Sequence, residues 1–143
     1  MRKIDKIVVH CSDSEFGDAS DIDQWHKERG WSKIGYHFVI LNGYHDKGKL
    51  TEADDGFIEL GRDLQQQGAH VKWHNANSIG ICMIGKEDFT DKQFQSLANL
   101  LRGLMIQFKI PLSEIYGHRD LDPHKTCPNF NITEFKQKHL VKD

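Results

Sequence analysis

Between Gly117 and Pro128 the chain reads Gly-His-Arg-Asp-Leu-Asp-Pro-His-Lys-Thr-Cys-Pro, setting an imidazole and a potential thiolate in one short polar segment. His118 and Cys127 are side chains that Zn²⁺ favours, and Pro123 and Pro128 make the segment an irregular loop too rich in breakers to be helix. A third ligand has to come from elsewhere. His10 is the leading candidate, because it follows the apolar run Ile7-Val8-Val9 and so closes a buried strand where an imidazole needs a partner. Three protein ligands leave a fourth position for water, the layout of a catalytic zinc. One Zn²⁺ of this kind implies metal-assisted hydrolysis, with a bound water acidified to about pKa 7 and a polarised carbonyl. Lys125, two residues from Cys127, is expected to lower the thiol's pKa and favour thiolate. Competing patterns are absent: there is no Cys-x-x-Cys pair, no His-Glu-x-x-His, no Gly-x-Ser-x-Gly and no phosphate loop.

The other histidines and cysteines sort by context. His26, His45, His124 and His139 fall on polar helix faces or in loops and read as solvent-exposed residues without a role. Three cysteines, an odd number, argue against a disulfide framework. Cys11 and Cys82 lie in apolar, strand-like runs, where a free thiol behaves as a small buried hydrophobe.

The elements that must position these groups follow from periodicity and punctuation. Ile4 to Cys11 reads as a first strand, and Ser20-Asp21-Ile22-Asp23 as the capped start of a short helix ending near Arg29, before Gly30. Ile34 to Leu41 reads as a second strand closed by the turn pair Asn42-Gly43, with Tyr36 and Phe38 sharing one face opposite His37. Tyr44 to Gly56 is a polar excursion, a solvated hairpin or loop, before a short strand at Phe57 to Leu60. Gly61 to Asn77 reads as loop, and Glu59 and Arg62 receive no role. Ser78 to Ile84 is apolar on both faces, which implies a central strand covered on both sides. Thr90-Asp91-Lys92-Gln93 is a capping box that opens a helix whose apolar stripe runs from Phe94 to Phe108, before Pro111. Ile115-Tyr116 delivers His118 to the ligand loop, and Ile132 to Val141 makes a last helix. The order predicts an α/β fold, a single domain over residues 1–143 with a central mixed β-sheet flanked by helices.

Composition narrows the partners. A formal charge of −2 with scattered lysines and arginines supplies no field for nucleic acid. No apolar run approaches the roughly 20 residues of a membrane span, so no membrane insertion is expected. The start Met1-Arg2-Lys3-Ile4-Asp5-Lys6 lacks the apolar stretch of a signal peptide, which predicts cytoplasmic synthesis without an export address. A monomer is expected.

Six strings, in order along almost the whole chain, resemble a known family. Val9-His10-Cys11-Ser12, Gly35-Tyr36-His37-Phe38, Gly68-Ala69-His70, Asn77-Ser78-Ile79-Gly80, Gly117-His118 and Lys125-Thr126-Cys127-Pro128 are similar to the zinc-dependent N-acetylmuramoyl-L-alanine amidases. The likeness is to the short amidase-type lysozymes of bacteriophages, with peptidoglycan recognition proteins as wider relatives. The resemblance implies a mixed sheet flanked by helices, and His10, His118 and Cys127 as ligands of one zinc ion. It implies catalytic roles for Tyr36 and Lys125, and looser substrate contacts from His37, His70 and Asn77. The implied substrate is peptidoglycan or a muropeptide, cut at the amide between N-acetylmuramic acid and L-alanine. A phage lysin of this kind acts on the cell wall after release from the cytoplasm. A recycling amidase would instead work on soluble muropeptides, and a non-catalytic recognition module would have lost a ligand, usually the cysteine. The excursion from Tyr44 to Gly56 is longer than the compact hairpin expected in the short phage enzymes. Some phage relatives also bind and inhibit their phage RNA polymerase, an activity to which the short N-terminus here lends no support.

Overall fold

The most apolar run of the sequence becomes the axis of the sheet. In the computed structural model, which describes residues 1–141, β4 (Ser78–Met83) is buried along its whole length. It lies between β1 (Lys6–Cys11) and β2 (Phe38–Asp46), with β5 (Ile115–Gly117) beyond β1 and β3 (Lys49–Leu60) beyond β2. The order is thus β3-β2-β4-β1-β5; all pairs are parallel except β2 with β3, which makes the sheet mixed as expected.

Register decides what each face is made of, because side chains alternate along a strand. Lys6 pairs with Ser78 and the parallel register runs to Cys11 with Met83, so Val8 and His10 lie beside Gly80 and Cys82 on one face. The opposite face carries Ile7, Val9, Ile79, Ile81 and Met83. It is covered by α2 (Asp91–Phe108) through Leu97, Leu101 and Leu104, with α4 (Ile132–His139) adding Ile132 and Phe135. Each fully buried aliphatic side chain there contributes about 1.5–3 kcal/mol. The helix α2 starts at the foreseen capping box: the Thr90 hydroxyl accepts from Gln93 N–H, and the Gln93 side chain accepts from Thr90 N–H, both at 3.0 Å.

The first face is covered more thinly. The ten-residue α1 (Ala19–Glu28) packs Ile22 against Ile34, Val39, Leu41, Cys82 and Ile84. Its cap is Asp18, not Ser20: Asp18 Oδ1 accepts from Asp21 N–H at 2.9 Å, and Glu59 Oε1 reaches across from β3 to accept from Ala19 N–H at 2.8 Å. Among the described residues no helix is long and apolar enough to cross a membrane.

Four further expectations need correction. Asn42-Gly43 is not a turn; β2 continues through it to Asp46 with register shifts on both sides, and the chain reverses at Lys47-Gly48. Gly43 takes φ +90° and approaches Thr51 O, so it forms a bulge, and Phe57–Leu60 is the end of one long strand. Tyr36 and Phe38 do not share a face either. Regular strand begins only at Phe38, whose ring joins the α2 side, while Tyr36 packs with the cluster under α1. The ligand loop does contain helix, one turn of α3 (His118–Leu121), because Gly117 N–H bonds the Asp120 carboxylate at 2.8 Å and starts it before the first proline.

Candidate metal centre and active-site cleft

Two strands and one loop bring the three foreseen ligands together. His10 is the fifth residue of β1, His118 follows β5 as the first residue of α3, and Cys127 returns beside them because Arg119 N–H bonds Cys127 O at 2.8 Å. The His10 and His118 Nδ1 atoms lie 3.1 Å apart, and the two ring nitrogens and the Cys127 Sγ all fall within 4.8 Å of one another. An ion with tetrahedral bonds of about 2.05 Å to nitrogen separates two such ligands by about 3.3 Å, so the imidazole spacing fits a metal of that size. The donor set fits as well: two imidazoles and one thiol suit a borderline-soft cation, and among the described residues no fourth histidine, cysteine or carboxylate joins the group.

The charge states of the imidazoles suit ligation. Burial first, then the neighbouring His70 and His118, holds His10 well below its ordinary pKa, and burial, followed by Lys125, lowers His118. Both are therefore neutral at pH 7. The thiol departs from expectation. The neighbouring Cys11 thiol and then burial push Cys127 up, while the Cys11 N–H, 2.7 Å from Sγ, pulls the other way. Lys125 is not among the groups that shift the thiol; its charge acts on His118.

Behind the ligands stands a third histidine. His10 Nε2 meets His70 Nδ1 at 2.8 Å, and His70 Nε2 meets the Ser78 hydroxyl at 3.1 Å. With His10 Nε2–H donating to His70, the His10 lone pair is left on Nδ1, the nitrogen that faces His118 and Cys127. The sheet makes room for this arrangement at Gly80. A Cβ there would sit 2.6 Å from His70 Cγ, so any other residue would drive the ring off His10.

His10 is buried, while His118 and Cys127 line a cleft of about 820 Å³. Tyr36 and Lys125, the two residues expected to serve catalysis, both line it, as does His70. The Tyr36 ring centroid lies 5.0 Å from that of His10, and burial, then the nearby cysteine thiols, raises its phenol well above the ordinary value, so it is a protonated donor at neutral pH. The segment carrying it is braced by Arg62, whose Nε donates to Ile34 O at 2.7 Å and whose N–H bonds Tyr36 O. Lys125 is exposed on the other wall.

Two foreseen substrate contacts are not brought to the cleft. His37 is 1% exposed, with Nδ1 accepting from Gly80 N–H at 3.0 Å and Nε2 near Gln66 O and Arg2. It holds the strand that carries the site. The Asn77 amide bonds Asp5 Oδ1 at the opposite end of β1. The cleft wall holds two other asparagines, Asn129 and Asn75, and the Asn75 Oδ1 accepts from both His70 N–H and Val71 N–H.

His26 is the plainest miss. It is 5% exposed, lines the cleft, and its Nδ1 accepts from Gly35 N–H at 3.0 Å. Burial lowers its pKa to about 4, so the ring is neutral with its proton on Nε2, a donor on the cleft wall. His45 bridges Asp18 and Asp54 at 2.7 and 2.8 Å, and His139 packs against the rings of Phe94 and Phe135; of these four only His124 stays exposed, at the cleft rim.

Comparison with known proteins agrees with this geometry. A model of the N-acetylmuramoyl-L-alanine amidase family matches residues 1–130. The endolysin of Enterobacteria phage T3 is 38% identical over 144 residues, covering 93% of this chain and 85% of that protein. Among solved structures, the N-acetylmuramoyl-L-alanine amidase LysC from Clostridium intestinale superposes with a TM-score of 0.79 at 33% identity, covering 99% of this chain and 88% of that one. Drosophila PGRP-LB shares the fold at a TM-score of 0.74 and 23% identity, covering 100% and 88%. Family match, fold and cleft converge, and the chain belongs to the N-acetylmuramoyl-L-alanine amidase family.

Proposed function

We propose that this protein is a zinc-dependent endolysin that hydrolyses the amide between the lactyl group of N-acetylmuramic acid and the L-alanine of the peptidoglycan stem peptide. The observation that carries the reading is the convergence of His10, His118 and Cys127, with no fourth such ligand in the group among the described residues, beside an open cleft that His118 and Cys127 line. A recognition module that only binds would not need an intact triad. When bound, zinc supplies Lewis acidity toward the amide carbonyl and an acidified water.

The chain's own residues do the remaining work. His70 and Ser78 fix the His10 ring so that Nδ1 presents its lone pair. The amide carbonyl gains negative charge as its carbon turns tetrahedral, and the Lys125 ammonium and the protonated Tyr36 phenol stand on the cleft walls as donors to that charge. Each such preorganised donor is worth about 2.7–4 kcal/mol in the transition state. The His26 Nε2–H adds a donor of fixed tautomer for the substrate's amide or hydroxyl oxygens.

Purified protein incubated with peptidoglycan sacculi tests the reading. The expected result is release of stem peptides with free L-alanine amino termini, one zinc per chain, and faster turnover on sacculi than on soluble anhydro-muropeptides. Zinc-loaded protein that releases no stem peptide would overturn it, and a preference for the soluble substrate would replace the endolysin with a recycling amidase.

A further inference from the structure

We infer that Trp73 is a sugar-stacking platform at the mouth of the cleft, which binds a glycan residue flanking the muramyl unit whose amide is cut. The inference rests on the amidase reading and assigns that site a polymeric glycan in place of an isolated muramyl peptide.

Three observations converge on this residue. Trp73 holds φ +74°, the left-handed region that bulky side chains avoid at a cost of about 1–3 kcal/mol. The other non-glycine residues at positive φ are Asp13 and Asn129, which tolerate it, and Lys109, which caps the C-terminus of α2. Nor does burial offset the strain: the indole is 87% exposed, the most open large apolar side chain after the terminal Met1. Its place is also specific. The turn is braced by Asn75 Oδ1 and by His74 N–H to Val71 O at 3.1 Å, on the loop that supplies His70 to the metal centre and whose Ala69–Lys72 stretch lines the cleft. Lys72, a residue of the cleft wall, holds its ammonium 5.3 Å from the indole centroid, which ties the ring to that wall.

Chemistry selects the occupant. The amide in question joins a peptide to a sugar, so what extends past the cleft is either stem peptide or glycan. A flat, exposed indole suits the apolar C–H face of a pyranose, and the adjacent ammonium can donate to its hydroxyl and acetamido oxygens. Trp73 itself stands just outside the lining, directly after the lining residue Lys72, whereas the other strongly exposed apolar residues, Leu60 at the end of β3 and Ile106 on α2, have no chain neighbour on the cleft wall.

The test compares Trp73→Gly and Trp73→Phe with the wild-type chain on sacculi and on N-acetylmuramoyl-pentapeptide, which has one sugar. Glycine accepts φ +74° without strain, so Trp73→Gly is expected to fold with a Tm at or above the wild-type value. It should cut sacculi about fivefold more slowly at subsaturating substrate and cut the one-sugar substrate within about twofold of wild type, while Trp73→Phe keeps most of the sacculus rate. In parallel, N-acetylglucosamine oligomers should shift the tryptophan emission of the wild-type protein and not of Trp73→Gly, in which Trp25 and Trp31 still report. An equal loss on both substrates, no loss on sacculi, or an emission shift that survives in Trp73→Gly would overturn the platform. If the wild-type protein cuts neither substrate, the amidase reading fails and the oligomer titration still decides: a shift that depends on Trp73 upholds the platform, and no shift overturns it.

Discussion

Under α2 the sheet buries sixteen apolar residues in one continuous cluster; under α1 it buries six, and the neighbouring space is taken by His10, His26 and His70. The strand β4 shows the cause in a single stretch. Its residues facing α2 are Ile79, Ile81 and Met83, large and apolar, whereas those facing α1 are Ser78, Gly80 and Cys82, all small. Small side chains on one face leave the volume into which imidazoles and a substrate cleft fit, and large ones on the other hold the sheet rigid beneath them. Such a division puts stability and chemistry on opposite faces, so substitutions on the two should fail in different ways.

The largest expected effect lies on the α1 face. Cys127→Ser or His118→Ala should lower kcat/KM for stem-peptide release on the order of a thousandfold or more, with bound zinc lost and Tm little changed beyond the contribution of the metal itself. Turnover by Cys127→Ser at the wild-type rate would break the assignment of the metal centre. On the other face, Leu101→Ala should cost about 2–5 kcal/mol of unfolding free energy, read by urea denaturation, while activity per folded molecule stays within about twofold of wild type. A Leu101→Ala protein as stable as wild type would show that the α2 cluster is not the core that its burial indicates.

The second shell sits between these extremes. His70→Ala removes the partner of His10 Nε2, and Gly80→Ala puts a methyl group 2.6 Å from His70 Cγ. Both are expected to weaken zinc binding about 10- to 100-fold in competition with a chelator. Because they act through one ring, the double variant should be little worse than the poorer single one. Additive losses would mean that Gly80 acts on the metal centre by a route other than His70.

The sequence made one face more legible than the other, for a physical reason. A dry core announces itself by periodicity: β4, α2 and its capping box are readable from residue spacing alone, as is the strand that ends in His10. The three residues that converge on the candidate metal site were also readable, because few residue types bind zinc and each stood at a strand end or in a breaker-rich loop. The polar architecture depends on contacts distant in sequence. His26 reads as a surface histidine until Gly35 N–H and the Trp31 and Tyr36 rings enclose it. His37 and Asn77 read as groove residues until Gly80 and Asp5 claim their side chains. Arg62 and Glu59 show no local pattern, and their work is on Ile34 O and Ala19 N–H. One further signal lies in the residues themselves: the alternation of Ser, Gly and Cys with Ile, Ile and Met in β4 marks which face had to leave room.

The smallest effect tests whether the thin face needs an added tie. His45 bridges Asp18, the cap of α1, and Asp54 of the β2–β3 hairpin, and these two carboxylates, Asp18 first, raise its pKa to about 8. An imidazolium donates to both acids at once; a neutral ring has one N–H and must turn a lone pair toward the other. The folded-state pKa lies above the unfolded value of about 6.5, so the stabilisation is complete below pH 6.5 and is lost as pH rises through 8. The three side chains are 19–37% exposed, which limits the effect to below about 1 kcal/mol. His45→Gln should therefore lower Tm by a few degrees at pH 6 and leave it unchanged at pH 9.5, whereas the deficit of Leu101→Ala, which involves no titrating group, should persist across the same range. A His45→Gln deficit that does not change with pH would mean that His45 holds α1 by packing, and the thin face would then be tied down by the same kind of force as the thick one.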